Sequence, residues 1–137
     1  MLKDCMEEDR KKTEIFGYKK LIAYQKAQDL VREIYKLIEE YHSVERYALC
    51  DQLRRASFSV TSNIAEGVNR FSNNDKARFI EMSFGSLMEI SSQLDISEKL
   101  GYISKEKINN MEILIKDTAR LLAGLYRSYK SAEDKSY

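Results

Sequence analysis

The sequence predicts an all-α protein, an antiparallel up-and-down four-helix bundle, from three observations. The 137-residue chain has no Pro and only 5 Gly, so it lacks the frequent turn residues that separate short β-strands. Apolar residues recur at intervals of three and four along four long segments, which is the spacing of amphipathic helices. Short polar stretches join these segments, and short connections make consecutive helices antiparallel neighbours.

The overall composition argues against several kinds of partner and site. The chain has 23 Lys and Arg against 22 Asp and Glu, so any basic surface for nucleic acid must be local. No apolar run approaches the ~18 residues of a membrane span, and the N-terminal segment has no apolar core of a signal peptide. Cys5 and Cys50 are far apart and lack a Cys-x-x-Cys motif, which favours a reduced cytosolic protein. We therefore expect a cytoplasmic protein without a metal, a cofactor or a membrane partner.

The first two helices are predicted over residues 20–41 and from Ser43 to about residue 69. Ser43 is a plausible N-cap, and Glu45 lies in the first turn, where the helix dipole favours an acid. The apolar face of the first helix consists of Ala27, Leu30, Val31, Ile34, Leu37, Ile38 and Tyr41.

The third helix is predicted to begin at Ser72, because Ser72 and Asp75 have the spacing of a capping box, and to end before Gly101 at the C′ position. The fourth is predicted over residues 104–130. Its apolar repeat is Ile108, Met111, Ile115, Thr118, Leu122, Leu125 and Tyr129.

Both ends of the chain lack this periodicity. Residues 1–18 and 131–137 mix acids and bases, so we expect flexible tails on either side of a bundle domain spanning residues 19–130.

The second predicted helix contains an unusual stretch, QLRRASFSVTSNIAEGVNR (52–70), in which Ser, Thr, Asn and Gly replace better helix formers. Its helical periodicity survives, so we expect a helix rather than a loop. The predicted buried face consists of Leu53, Ser57, Val60, Ile64, Gly67 and Phe71.

Both flanks of that face are also distinctive. One flank is a polar ridge, defined here as Gln52, Ser59, Asn63, Glu66 and Arg70, with Arg55 just beyond it. The other flank is largely apolar and consists of Tyr47, Cys50, Arg54, Phe58, Thr61, Ala65 and Val68. A bundle core needs only one stripe, so the extra apolar flank favours self-association. The alternative is that the Ser and Thr residues simply occupy solvated positions.

Small residues in this stretch predict a close approach to the third helix. Ala56, Ser57 and Gly67 would face Gly85 and Ser86 if the second and third helices pack together.

Glu66 lies near a helix C-terminus, where the dipole disfavours an acid. Two interpretations follow. Either Glu66 pairs with Arg70 four residues later, which is the favourable order for an ion pair, or it faces a ligand.

The same residues resemble a known family. The segment ERYALCDQLRRASFSVTSNIAEGVNR (45–70) is similar to the signature of the bacterial four-helix-bundle proteins encoded in intervening sequences of 23S rRNA genes. The Gln-Leu-Arg-Arg and Asn-Ile-Ala-Glu-Gly elements are its most specific parts. Further matches are Tyr24-Gln25-Lys26-Ala27, Phe79, Gly85-Ser86-Leu87, Glu89, Leu94 and Leu100-Gly101-Tyr102.

The resemblance implies a bundle that assembles as a ring-like homopentamer without catalytic activity. The accessory variability determinant of diversity-generating retroelements is similar to this family, which implies nucleic acid and a reverse-transcriptase-like protein as partners. Those relatives are strongly basic, whereas this chain has a net charge of +1. It also has Ser43-Val44 before Glu45, where the family usually has a Pro.

Local charge partly restores a basic surface. The second and fourth predicted helices carry more bases than acids, and the third carries more acids. Ring symmetry would repeat a small basic patch, or the acidic helix would meet the basic helices of a neighbouring subunit. The sequence leaves both readings open.

Enzymatic activity is not expected. The single His, His42, falls in a predicted loop, no Ser or Cys nucleophile has a recognisable context, and the Glu-x-x-His pairs of di-iron bundles do not occur. We therefore expect no catalytic residues and no small-molecule substrate. The expected function is binding of RNA, DNA or a nucleoprotein partner by an oligomer, and the alternative is an oligomeric scaffold without nucleic acid. The candidate surface consists of Arg54, Arg55, Arg70 and Arg120.

Overall fold

A computed structural model describes residues 15–41 and 46–134, and over these residues the chain is helical without strands. A short 3-10 turn, Gly17–Lys20, precedes the first helix. The four helices are α1 (Ile22–Ile38), α2 (Arg46–Val68), α3 (Asn73–Lys99) and α4 (Lys105–Asp134). The predicted all-α class is confirmed.

The helices pack in chain order. Each contacts the next, and α1 closes the arrangement against α4, so α2 and α4 lie diagonally opposite each other. Contacts between helix ends show that neighbouring helices run antiparallel. Lys130 near the end of α4 donates a hydrogen bond to Asn74 at the start of α3 (3.2 Å), and Lys107 at the start of α4 pairs with Glu40 just after α1. This arrangement agrees with the predicted up-and-down bundle.

The predicted ends of α3 are confirmed by their hydrogen bonds. The Ser72 hydroxyl accepts from the Asp75 backbone N–H at 3.1 Å. At the other end Gly101 has φ +80, and its N–H donates to the Glu98 carbonyl, while the Tyr102 N–H donates to the Ser97 carbonyl, both at 2.9 Å. This is a Schellman motif, which requires a residue that tolerates positive φ at C′.

The remaining helix ends differ from the prediction at one point that matters. Helix α2 stops at Val68, and the Arg70 N–H bonds the Gly67 carbonyl at 3.1 Å. Phe71 was expected on the buried face, but it lies beyond the helix and is fully exposed. The predicted N-cap Ser43 and Glu45 lie outside the described residues, and α4 continues to Asp134.

The rest of the predicted buried face of α2 forms part of the core. Leu53, Ser57, Val60 and Ile64 are all 0% exposed. The predicted apolar face of α1 is buried as well, apart from Val31, which is only partly covered. Cys50 was expected on the apolar flank, but it is fully buried and belongs to the core.

The small residues of α2 allow a close approach to α3. A Cβ placed on Gly67 would lie 2.8 Å from the Phe79 Cβ and 3.4 Å from the Lys76 carbonyl oxygen, so a side chain does not fit there. The predicted partner Gly85 does not take part, because it is exposed and a Cβ on it would have no atom within 4 Å. At Gly67, the absence of a side chain on α2 is therefore what allows α3 to pack this closely.

The two glycines give opposite predictions for stability. Gly67→Ala should lower the free energy of unfolding by about 1–3 kcal/mol, because α2 and α3 must separate to admit the methyl group. Gly85→Ala should raise the free energy of unfolding by about 0.5–1 kcal/mol, because Ala has a higher helix propensity than Gly and the exposed site has room for its methyl group. Urea unfolding at one protein concentration measures both, and a stabilising Gly67→Ala would contradict the close packing.

Candidate nucleic-acid interface

The centre of the polar ridge is engaged in contacts between α2 and α3. The Ser86 hydroxyl donates to the Ser59 hydroxyl at 2.8 Å, and the Asn63 side-chain amide donates to the same oxygen at 3.0 Å. Next to them, the buried Ser83 hydroxyl donates to the Val60 carbonyl at 2.7 Å. These short polar groups satisfy one another where the helices are close, so this part of the ridge stabilises the helix pair.

The ends of the ridge are more open. At its start, the Gln93 side-chain amide donates to the Gln52 side-chain oxygen in a long contact of 3.4 Å. At its other end, Glu66 is exposed, and Arg70 lies outside the helix.

The predicted ion pair between Glu66 and Arg70 is absent. The favourable spacing of four residues holds only within a helix, and α2 ends before Arg70. The Arg70 guanidinium instead lies 4.2 Å from the centre of the Phe79 ring.

The four candidate arginines do not form one surface in the subunit. Arg54 pairs with Asp51 at 2.8 Å and lies 5.8 Å from the Tyr35 ring, on the side of α2 that faces α1. Arg55 is exposed on α2, whereas Arg120 is exposed on the diagonally opposite α4. Arg70 alone lies at the end of the bundle.

The structure brings a different set of cations to the end of the bundle at which Arg70 lies. The start of α1, the end of α2, the start of α3 and the end of α4 meet at this end, where the Asn69 amide also donates to the Ile15 carbonyl at 3.0 Å. We define the basic end as Lys19, Arg70, Lys76, Arg78 and Lys130.

Aromatic rings accompany the cations of the basic end. Lys19 lies 4.6 Å from the Phe16 ring, and Lys76 lies 5.5 Å from the Tyr129 ring. Burial raises the pKa of Tyr129 above its ordinary value of 10.0, so this ring is neutral at physiological pH. Arg78 lies 5.0 Å from the Phe79 ring. Cations beside neutral rings keep their charge available to an anion.

Among the described ion pairs, the one between Asp75 and Arg78 (3.6 Å) is the one that involves a cation of the basic end. The exposed Glu66 lies in the last turn of α2. The opposite end of the bundle differs, because Lys107 pairs with Glu40 and Lys99 pairs with Asp95. In the described residues, ion pairs therefore involve two lysines at the opposite end and one arginine at the basic end.

Sequence reasoning did not include Lys19, Lys76, Arg78 and Lys130 in the candidate site. Their signal was available, because an antiparallel bundle brings the start of its third helix beside the end of its fourth. Charge was instead counted along each helix, which hides a cluster made from several helix ends.

The described residues show no grouping of three or more His, Cys, Asp or Glu side chains able to hold a metal ion. His42 lies outside this part of the chain. Within the same part, no helix is both long and apolar enough to span a membrane.

The sequence profile of the 23S rRNA-intervening sequence protein family matches residues 19–124. The chain belongs to this family. The matched range covers nearly all of the bundle, including the α2 stretch and the whole of α3.

One solved structure shares the family fold. It is a protein of unknown function from the S23 ribosomal protein family of Bacteroides thetaiotaomicron, with a TM-score of 0.69 and 17% identity. The match covers 77% of this chain and 98% of the other. A search of curated proteins found no significant match to this family member.

The absence of an ion pair predicts independent effects of Glu66 and Arg70. The changes Glu66→Ala and Arg70→Ala should add in the double variant to within about 0.5 kcal/mol of unfolding free energy. Arg70→Ala combined with Phe79→Leu should instead be non-additive by about 0.5–1 kcal/mol, because both changes remove the same cation–ring contact. If urea unfolding instead gave a coupling free energy above about 1 kcal/mol between Glu66 and Arg70, the two side chains would form an ion pair and the prediction would be wrong.

Proposed function

We propose that this member of the 23S rRNA-intervening sequence family is a non-enzymatic oligomer that binds RNA or DNA. The observation that carries the proposal is the basic end. Its five cations come from all four corners of the bundle, and Asp75 is the described carboxylate paired with one of them. A phosphate backbone is the most common polyanion that such a cluster fits, and binding would release condensed counterions.

The proposed assembly is a homopentameric ring. Support comes from apolar side chains on the outward faces of α2 and α3, which one subunit leaves in water. Tyr47 and Phe58 on the predicted apolar flank are 75% and 50% exposed. Ile96 and Leu100 on α3 are 49% and 55% exposed. A cyclic assembly would bury such faces and repeat the basic end around its axis.

The proposed setting is the bacterial cytoplasm. The likeness to the accessory variability determinant of diversity-generating retroelements makes a reverse-transcriptase-like protein a further candidate partner. In that arrangement the bundle contributes phosphate contacts and the partner contributes catalysis, so the bundle itself needs no small-molecule substrate or cofactor.

The second candidate function is an oligomeric scaffold without nucleic acid. A groove of about 360 Å³ between α2 and α3 favours it, because its lining is mainly apolar. The lining residues are Ala48, Leu49, Gln52, Ile96 and Leu100.

The assembly prediction is tested by light scattering on the purified full chain. The expected mass corresponds to about five protomers at micromolar concentration, since cyclic closure fixes one number of subunits. A single species with the mass of one protomer would exclude the ring and, with it, the amplification of the basic end by symmetry.

The binding prediction is tested by retention on immobilised RNA and single-stranded DNA over a salt gradient. The unaltered protein should be retained at low salt and should elute well before 1 M salt, since affinity based on phosphate contacts falls steeply as salt increases. No retention on either matrix at low salt, together with an intact oligomer, would favour the scaffold.

A further inference from the structure

The turn between α2 and α3 carries a phenylalanine that the fold does not use. Phe71 is 105% exposed, so its ring has both faces in water. It directly follows Arg70 and precedes Ser72, whose hydroxyl caps α3 and fixes the turn. A large apolar ring on a fixed turn costs solubility and adds nothing to the core, which points to a partner with a flat apolar surface.

The neighbouring arginines are held in place around one ring. Arg70 and Arg78 lie 4.2 Å and 5.0 Å from the centre of the same Phe79 side chain, which is only 6% exposed. Asp75 balances one of the two guanidinium groups, at 3.6 Å from Arg78. The second guanidinium has no carboxylate among the described ion pairs.

This excess charge lies beside the N-terminus of α3, where the helix dipole also favours an anion. The turn therefore combines a free aromatic face with two positioned guanidinium groups. A nucleobase next to its phosphate has the complementary pair of groups, a flat π-face and a negative charge.

We propose that the α2–α3 turn binds single-stranded nucleic acid, with a base stacked on Phe71 and the adjoining phosphates against Arg70 and Arg78. The proposal rests on the nucleic-acid function proposed above and gives that function a location. A single strand is favoured over a duplex because the ring can stack only on a base whose face is open. A second protein copy would instead need to supply carboxylates and a pocket for the ring.

The experiment measures binding of labelled oligo(U) and oligo(dT) of about 15 nucleotides, the upper range of a stacking platform's site size, by fluorescence anisotropy at low salt. Phe71→Leu keeps an apolar side chain but removes the ring, and should weaken binding by about tenfold. Phe71→Tyr keeps the ring and should bind as the unaltered protein does. Both variants should unfold at the same temperature as the unaltered protein, since Phe71 is fully exposed.

The arginines are tested through the salt dependence of the same binding. The double change Arg70→Gln and Arg78→Gln should reduce the slope of log affinity against log salt by about 1.4, because each single-strand phosphate contributes about 0.7. The matched control is the double change Lys105→Gln and Lys116→Gln, which removes two exposed cations of α4 away from the turn. The control should leave most of the slope in place.

The outcomes separate the location from the function. If the unaltered protein binds neither oligonucleotide at low salt, the proposed function fails and the location fails with it. If binding persists in Phe71→Leu and in the Arg70 and Arg78 variant but is lost in the control, the function stands and the turn is not the site. If light scattering shows that the Arg70 and Arg78 variant no longer forms the oligomer, but the variant still binds the oligonucleotides, a second copy of the chain covers the turn. The inference is then overturned.

Discussion

The contact between Gly67 and Phe79 is the constraint on which the basic end depends. Gly67 has no side chain, and this lets the Phe79 Cβ lie only 2.8 Å from the point that a Cβ on residue 67 would occupy. The Phe79 ring is thereby held at the end of the helix pair, and both Arg70 and Arg78 lie within 5.0 Å of its centre. A packing contact in the bundle thus fixes the position of two charges at its surface. Changes that widen this contact would disperse the charges without touching either arginine.

The Ser and Asn residues of α2 serve the same close approach further along the helix. Where two backbones come near each other, large apolar side chains do not fit, and short hydroxyls can satisfy each other and the neighbouring carbonyls. The Ser86–Ser59 and Ser83–Val60 hydrogen bonds do this at 2.8 Å and 2.7 Å. The weak helix propensity of the segment is therefore offset by tertiary contacts, as is common for packed helices.

Local features of the fold could be predicted from the sequence because local chemistry determines them. The Ser72 cap and the Gly101 stop depend on hydrogen bonds within a few residues, and both predictions were correct. The buried positions of α2 follow from periodicity and were correct as far as Gly67.

The sequence predictions were wrong where a helix ended earlier than expected, and where the position of a neighbouring helix determines which side chains are buried or grouped. The Glu66–Arg70 pair and the burial of Phe71 both assumed that α2 continued beyond Val68. Gly85 was matched with Gly67 on residue size, but its position around α3 places it in water. Arg120 was grouped with Arg54 and Arg55 on charge alone, although its helix lies diagonally across the bundle.

The nearly neutral charge of the subunit has a consequence for the affinity of the proposed binding. With a net charge of +1, the whole protein exerts little long-range attraction on a polyanion, so the proposed binding would depend on the few contacts at the basic end. A small number of phosphate contacts and one stacked base give weak binding by a single subunit. In the proposed ring, several turns linked in one assembly would act on one strand, and the second contact would form at the high effective concentration set by the first. On the proposed function, affinity for nucleic acid would therefore depend on self-association, because the ring would repeat a basic end that one nearly neutral subunit carries only once.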